Sequence, residues 1–187
     1  SEKLYPSGVY GRQKLEAEER CAAACPDTVS LRLSWMYDTG KPGPEKHGNL
    51  VTTLRGLLDN PDPDARLVFP VYDRRSLTDV WDVAINMEAA LDLTPGVYNF
   101  GSPNPLNAYE TATVFLSLLR GASGDGGNSG PAPSIQNASD PRLVPDRQRF
   151  ASCPRNLQMD LEKLSLAGIS FPTAQEGFVR SLSRSRP

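Results

Sequence analysis

The sequence predicts an α/β fold. Three observations carry that prediction. Apolar residues recur at helical spacing in some stretches and alternate in others. Capping residues stand just ahead of the helical stretches. Short strand-like runs lie between them. The 187 residues, 39% of them hydrophobic, suit one globular unit with a sizeable core.

The elements follow in order. Val9 to Ala24 reads as a helix, and Cys25-Pro26-Asp27 breaks it. Val29 to Leu33 alternates as a strand, opening the run Val29-Ser-Leu-Arg-Leu-Ser-Trp-Met-Tyr37. Residues 38–48 form a polar, turn-rich loop that holds the only histidine, His47, in a surface position. Asn49 caps a helix to about Leu58, with Leu50, Val51, Leu54, Leu57 and Leu58 on one stripe. Asn60-Pro-Asp-Pro-Asp64 ends it, and Arg66 to Phe69 is a short strand. Thr78 or Asp79 caps a helix to about Asp92. Gly96 to Phe100 is a strand, and Asn107 to Arg120 is a helix carrying Val114, Phe115, Leu118 and Leu119. Residues 121–134, rich in Gly, Ser and Pro, read as a flexible linker. Arg142 to Pro145 is at most a short extended piece. Asp160 caps a short helix to Ala167, and Thr173 a final one to about Leu182.

Composition excludes several classes of function. A net charge of −2 with no basic block argues against a nucleic-acid binder. No apolar run approaches the roughly 20 residues of a membrane span. Cys21, Cys25 and Cys153 are odd in number, and no further Cys/His pair completes a zinc site, so no metal is expected. They read as reduced thiols of a cytoplasmic protein. Asn137-Ala-Ser139 is formally a glycosylation sequon, without consequence in that compartment.

Tyr10-Gly-Arg-Gln-Lys14 carries the chemistry. Residues i and i+4 share a helix face. An ammonium held near a phenol favours the phenolate and makes a better proton relay. The plain alternative is an ordinary amphipathic helix whose tyrosine packs and whose lysine is solvated. Asp79 and Asp82, three apart at a helix start, read as a cap and a complement to the helix dipole rather than as an acid/base pair.

Ordered matches downstream decide between these readings. They are Tyr10 to Lys14 with Glu18; Leu31-Arg-Leu-Ser-Trp-Met-Tyr37; Arg75-Ser-Leu-Thr-Asp-Val80 with Asp82-Val-Ala84; Gly96-Val-Tyr-Asn-Phe-Gly101; and Pro154-Arg-Asn-Leu-Gln-Met-Asp160 with Lys163-Leu164 and Gly168-Ile169. In this order they resemble the extended short-chain dehydrogenase/reductase superfamily and, within it, the dTDP-4-dehydrorhamnose reductase group. The resemblance implies an incomplete NAD(P)-binding Rossmann-like fold, the C-terminal part of a parallel sheet, plus a small α/β substrate-binding lobe. Residues 1–187 would be a single C-terminal portion, with the catalytic helix at about 9–24 and lobe elements at about 38–78 and 96–187. No glycine-rich dinucleotide turn occurs after a strand, and only nine residues precede Tyr10. The expectation is therefore a fragment, inactive when isolated, of an NAD(P)-dependent oxidoreductase.

The family's roles fall on matching positions. Tyr10 would donate a proton to the keto oxygen of a nucleotide sugar. Lys14 would hold the nicotinamide ribose, with Tyr10 beside it. Trp35 would meet the substrate, or else be a packed strand-end aromatic. NADPH or NADH would be the cofactor, incompletely bound here. Arg74 and Arg75 are either diphosphate ligands or a solvated turn. Arg32 is a candidate partner for a core carboxylate. The implied activity is reduction of a 4-keto nucleotide sugar in dTDP-rhamnose and cell-surface polysaccharide biosynthesis. A non-catalytic regulatory subunit resembling the methionine adenosyltransferase beta subunit is one alternative; an epimerase or dehydratase is another. Beyond the nucleotide-sugar substrate, a homodimer or a partner enzyme is possible.

Overall fold

Helix starts follow the side chains that precede them. The computed structural model describes residues 6, 8–40, 48–123 and 140–184. The loop histidine His47, most of the linker and the sequon lie outside the described residues. Asn49 opens α2 (Leu50–Leu58): its Oδ1 accepts from the Thr52 N–H at 3.0 Å, and the Thr52 hydroxyl accepts from the Asn49 N–H at 2.9 Å. Asp79, not Thr78, caps α3 (Val80–Ala90) by accepting from the Trp81 N–H at 3.1 Å. Asn107 and Glu110 cap each other's amides at 2.9 Å at the start of α4 (Ala108–Ser123). Thr173 and Glu176 make the same reciprocal box ahead of α6 (Ala174–Arg184). The expected Asp160 cap bonds the Glu162 N–H at 2.9 Å, so α5 (Glu162–Leu166) begins one residue after Leu161 and is shorter than the sequence suggests. The first helix, α1 (Val9–Ala24), has a Gly8 N-cap with no side-chain bond and buries no residue.

Among the described residues every strand pair is parallel. β1 (Val29–Leu33) pairs β6 (Gly96–Phe100), with Val29 opposite Gly96. β2 (Trp35–Tyr37) pairs β5 (Leu77–Asp79), with Trp35 opposite Leu77. β3 (Leu67–Pro70) pairs β7 (Leu143–Asp146). β4 (Asp73–Arg75) pairs β8 (Arg155–Leu157), with Asp73 opposite Arg155. The 142–145 stretch, expected to be only a short extended piece, is thus a paired strand. Its carbonyls and amides are satisfied by β3, a partner more than seventy residues away that local pattern cannot reveal.

Two apolar cores result. The larger joins Tyr37, α2, α4 and α6; within it the Tyr37, Phe115 and Phe178 rings pack edge-on and stacked at centroid distances of 5.4, 5.5 and 3.8 Å. The smaller surrounds β1 and β6 with Val83, Leu93, Leu164 and Ile169. β6 and α5 pack in this second core beside β1.

Charged groups close the packing. Asp79 and Asp82 do more than complement a dipole. Arg184 pairs with Asp79, and Arg180 reaches Asp82 at 2.7 Å, so the start of α3 is clamped to α6. Burial pushes the Tyr37 phenol far above its ordinary range; Asp79 and Asp82 push the same way and the two arginines oppose them. The phenol stays a donor to the Ala174 carbonyl, 3.1 Å away. Gly177 faces this cluster. A Cβ there would lie 2.9 Å from Asp82 Oδ2 and 3.1 Å from Tyr37 Oη.

Asp140 joins α4 to β7. It pairs with Arg120 and accepts from the Arg142 N–H at 2.8 Å, while Arg142 Nη1 donates to the Leu57 carbonyl. Burial raises its pKa, but the Arg142 N–H and the two guanidiniums outweigh that and hold it below the usual carboxylate value.

Two outcomes are expected. Gly177→Ala lowers stability by about 1–3 kcal/mol in denaturant melts, because neither a carboxylate nor a packed ring has room to retreat. A depressed folded-state pKa stabilises above the unfolded value, near pH 4, and the stabilisation is lost as pH falls through the folded one. Asp140→Asn should therefore be less stable at neutral pH by about 1–3 kcal/mol, and should lose less stability than the wild type on acidification below about pH 4.

Candidate functional site

A cleft of about 290 Å³ opens between β3, β4, β5 and the start of α4. Trp35, Leu50, Val68, Phe69, Pro70 and Leu77 make its apolar walls; Asp73, Arg75, Asn104, Thr111 and Arg149 are its polar groups. One aromatic platform beside a few convergent polar side chains is the usual composition of a small-molecule site.

Local structure explains how Trp35 arrives there. The chain breaks between β1 and β2 at Ser34, whose hydroxyl lies 2.6 Å from Thr78 Oγ1. Thr78 Oγ1 also accepts from the Ser102 N–H at 2.7 Å. A Cβ at Gly101 would sit 2.8 Å from both hydroxyls, so this crossing needs glycine. The chain then leaves β6 for β5, and β2 sets Trp35 opposite Leu77, two residues beyond Arg75. Trp35 is 65% exposed. The plain reading of a packed strand-end ring does not hold: its face is covered instead by the Arg75 guanidinium, 4.0 Å from the ring centroid.

Arg75 is itself tied down. Its Nε and Nη2 both donate to Asp73 Oδ2, at 2.9 and 2.8 Å. Arg74 donates to the Pro105 carbonyl at the rim. The β7–β8 connection adds Arg149 and Phe150. Asp146 Oδ1 accepts from the Gln148 and Arg149 amides, both at 2.9 Å, and holds this turn. These bonds keep the Asp146 carboxyl below its ordinary pKa. Phe150 has φ 65°, a left-handed backbone that a bulky side chain rarely adopts.

Tyr10 and Lys14 stand elsewhere. Both are on one face of α1, with Lys14 Nζ 5.5 Å from the Tyr10 ring centroid. Tyr10 is 74% exposed, and neither residue lines the cleft. Lys14 makes no ion pair among the described residues. Arg32 fixes this helix: its Nε and Nη2 donate to the two oxygens of Glu18 at 2.9 and 2.6 Å. The core carboxylate that the sequence left unnamed for Arg32 is therefore a half-buried glutamate of α1. Among the described residues, no cluster of His, Cys, Asp and Glu fits a metal ion, and no helix is long and apolar enough to cross a membrane.

Sequence reasoning missed Asp73, Asn104 and Arg149. Asp73 had one legible signal, an acid two residues before Arg75, the spacing that puts both on one strand face. Asn104 and Arg149 lie in loops whose course depends on distant strands.

The family profile described as RmlD substrate binding domain matches residues 1–186. Solved structures share the fold at low identity. A dTDP-4-dehydrorhamnose reductase from Bacillus anthracis str. Ames, in complex with NADP, is 16% identical with a TM-score of 0.68, over 98% of this chain and 58% of that one. A UDP-N-acetylglucosamine 4-epimerase from Methanobrevibacter ruminantium M1, in complex with UDP-N-acetylmuramic acid, is 14% identical with a TM-score of 0.65, over 99% and 54%. A dTDP-glucose 4,6-dehydratase from the same Bacillus, in complex with NAD, is 18% identical with a TM-score of 0.62, over 97% and 53%. The chain thus spans a little more than half the length of these proteins. No curated protein matches it.

Proposed function

The chain belongs to the RmlD substrate binding domain family, and from that premise we propose that its cleft holds a nucleotide sugar whose 4-keto group the complete protein reduces. The observation that carries this reading is the Trp35–Arg75 pair at the cleft wall, a flat indole beside a fixed guanidinium. An indole offers an apolar face and one N–H donor to a ring, and a guanidinium forks onto phosphate oxygens. Arg149, the other arginine in the cleft lining, adds a second cation for a diphosphate. Asn104 and Thr111 are engaged with each other and with backbone, and so shape the cleft rather than bind.

The donor set on α1 suits a nicotinamide dinucleotide. A phenol and an ammonium share one exposed helix face, with no competing ion pair on Lys14 among the described residues. Lys14 would hold its ribose with Tyr10 beside it, and the cofactor, NADH or NADPH, supplies the hydride when bound. Tyr10 Oη donates the proton that the keto oxygen takes up as it becomes a hydroxyl. The Lys14 ammonium keeps the ribose and the phenol in register. Trp35 fixes the sugar nucleotide against the wall.

In the full-length protein, Tyr10→Phe should lower turnover of dTDP-4-dehydrorhamnose about 10²–10⁴-fold, read as loss of reduced nicotinamide, with cofactor affinity nearly unchanged. An unaltered rate removes Tyr10 from proton transfer. Trp35→Ala should weaken nucleotide-sugar affinity by about tenfold in calorimetric titration, the size of one lost ring contact. Wild-type binding without any turnover would turn the reading to a non-catalytic binding subunit.

A further inference from the structure

A ladder of alternating charges and rings, with one carboxylate at its centre, starts in the cleft wall at Trp35, Arg75 and Asp73 and continues outside the lining through Arg155 and Phe150. Asp73 is 3% exposed. Its Oδ2 accepts both bonds from Arg75, which lies over Trp35. Its Oδ1 has no hydrogen-bond partner among the described residues and faces Arg155 Nε at 3.7 Å. Arg155 in turn lies 4.5 Å from the Phe150 ring centroid, and Arg149 lies 5.1 Å from the same ring. Strand register builds this arrangement. Asp73 and Arg155 are directly opposite in the β4–β8 pair, and Arg75 precedes β5, where Leu77 faces Trp35.

A buried carboxylate with one free oxygen is costly unless cations hold it. The converse also holds: two guanidiniums this near each other repel unless an anion sits between them. Each cation then covers an aromatic face, a contact worth more when the cation is already immobilised. Phe150 keeps its left-handed backbone within this setting, the kind of strain that surrounding contacts must over-determine.

We propose that Asp73 is a positioning residue: itself held by Arg155, it anchors Arg75 so that this guanidinium and the ring of Trp35 are set, before any ligand arrives, for a ligand that joins a planar ring to a diphosphate. This rests on the nucleotide-sugar reading of the cleft and adds a group that acts on the ligand only through others. The carboxylate and its two arginines together carry one net positive charge; removing the carboxylate charge raises it to two.

That count gives the test its sign. Asp73→Asn keeps the shape and makes the cleft more positive. If Asp73 only balances charge, the variant binds a nucleoside diphosphate as tightly as the wild type or more tightly. If Asp73 positions Arg75, affinity for dTDP falls about tenfold or more despite the added positive charge, because a loosened guanidinium must be ordered on binding. The measurement is titration calorimetry with dTDP in a Trp81→Phe background, where Trp35 is the only indole. In the same protein without ligand, acrylamide quenching of Trp35 should rise at least about 1.5-fold as the stacked guanidinium leaves. Unchanged quenching and equal or tighter dTDP binding would overturn the proposal. Should Asp73→Asn not fold by circular dichroism, Asp73→Glu keeps the charge and Arg75 but displaces the carboxylate by one methylene; the same rise in quenching supports the anchor and its absence refutes it. A wild type that ignores dTDP sinks the nucleotide reading alone, since the ligand-free quenching still tests Asp73.

Discussion

The hydroxyl pair Ser34–Thr78, 2.6 Å apart, sits where two parallel strand pairs meet. At this point the chain leaves the β1–β6 pair and enters the β2–β5 pair, and the glycine at position 101 lets the two backbones approach. The direction of Trp35, its neighbour Leu77 and the distance to Arg75 all follow from that exchange of partners. So does the packing of Tyr37, two residues farther on, into the larger core. A methyl group in this joint would push the aromatic wall of the cleft and the central tyrosine of the core at once.

The helix that carries Tyr10 and Lys14 is held differently. It brings no buried residue to either core and is fixed by a two-pronged Arg32–Glu18 ion pair. Polar attachment of this kind is directional but weak beside apolar burial. The cleft and this helix therefore rest on unlike forces: the cleft on packing and paired charges, the helix on a bidentate ion pair.

Much of the helical frame was legible in the sequence, because its signals are local. Asn49, Asp79, Asn107 and Thr173 each satisfy an amide within three residues, and such bonds depend on little else. The strands were harder. β4, β5 and β8 are three residues long, too short to show a period, and exist because a distant partner supplies their hydrogen bonds. The same distinction explains the site. Tyr10 and Lys14 stood out as candidates by their spacing and Trp35 by the resemblance, whereas the contact of Asp73 with Arg155 exists only once β8 lies beside it. Asp79 and Asp82 looked like a helix-start pair; what they hold, two arginines of the last helix, sits about a hundred residues away.

The β4–β8 pairing also bears on when the cleft can come into being. Ser76 and Met159, bonded where the two strands end, are 83 residues apart in the chain. Until β8 has been synthesised, Asp73 has one cation rather than two, and the edge of β4 has no ladder to join. Pairings this remote close large loops before any contact rewards them, and such topologies fold slowly. During synthesis, the cores around α2, α3 and β6 have their local parts in hand early. The β4 side of the cleft is thus completed only after β8 has been made.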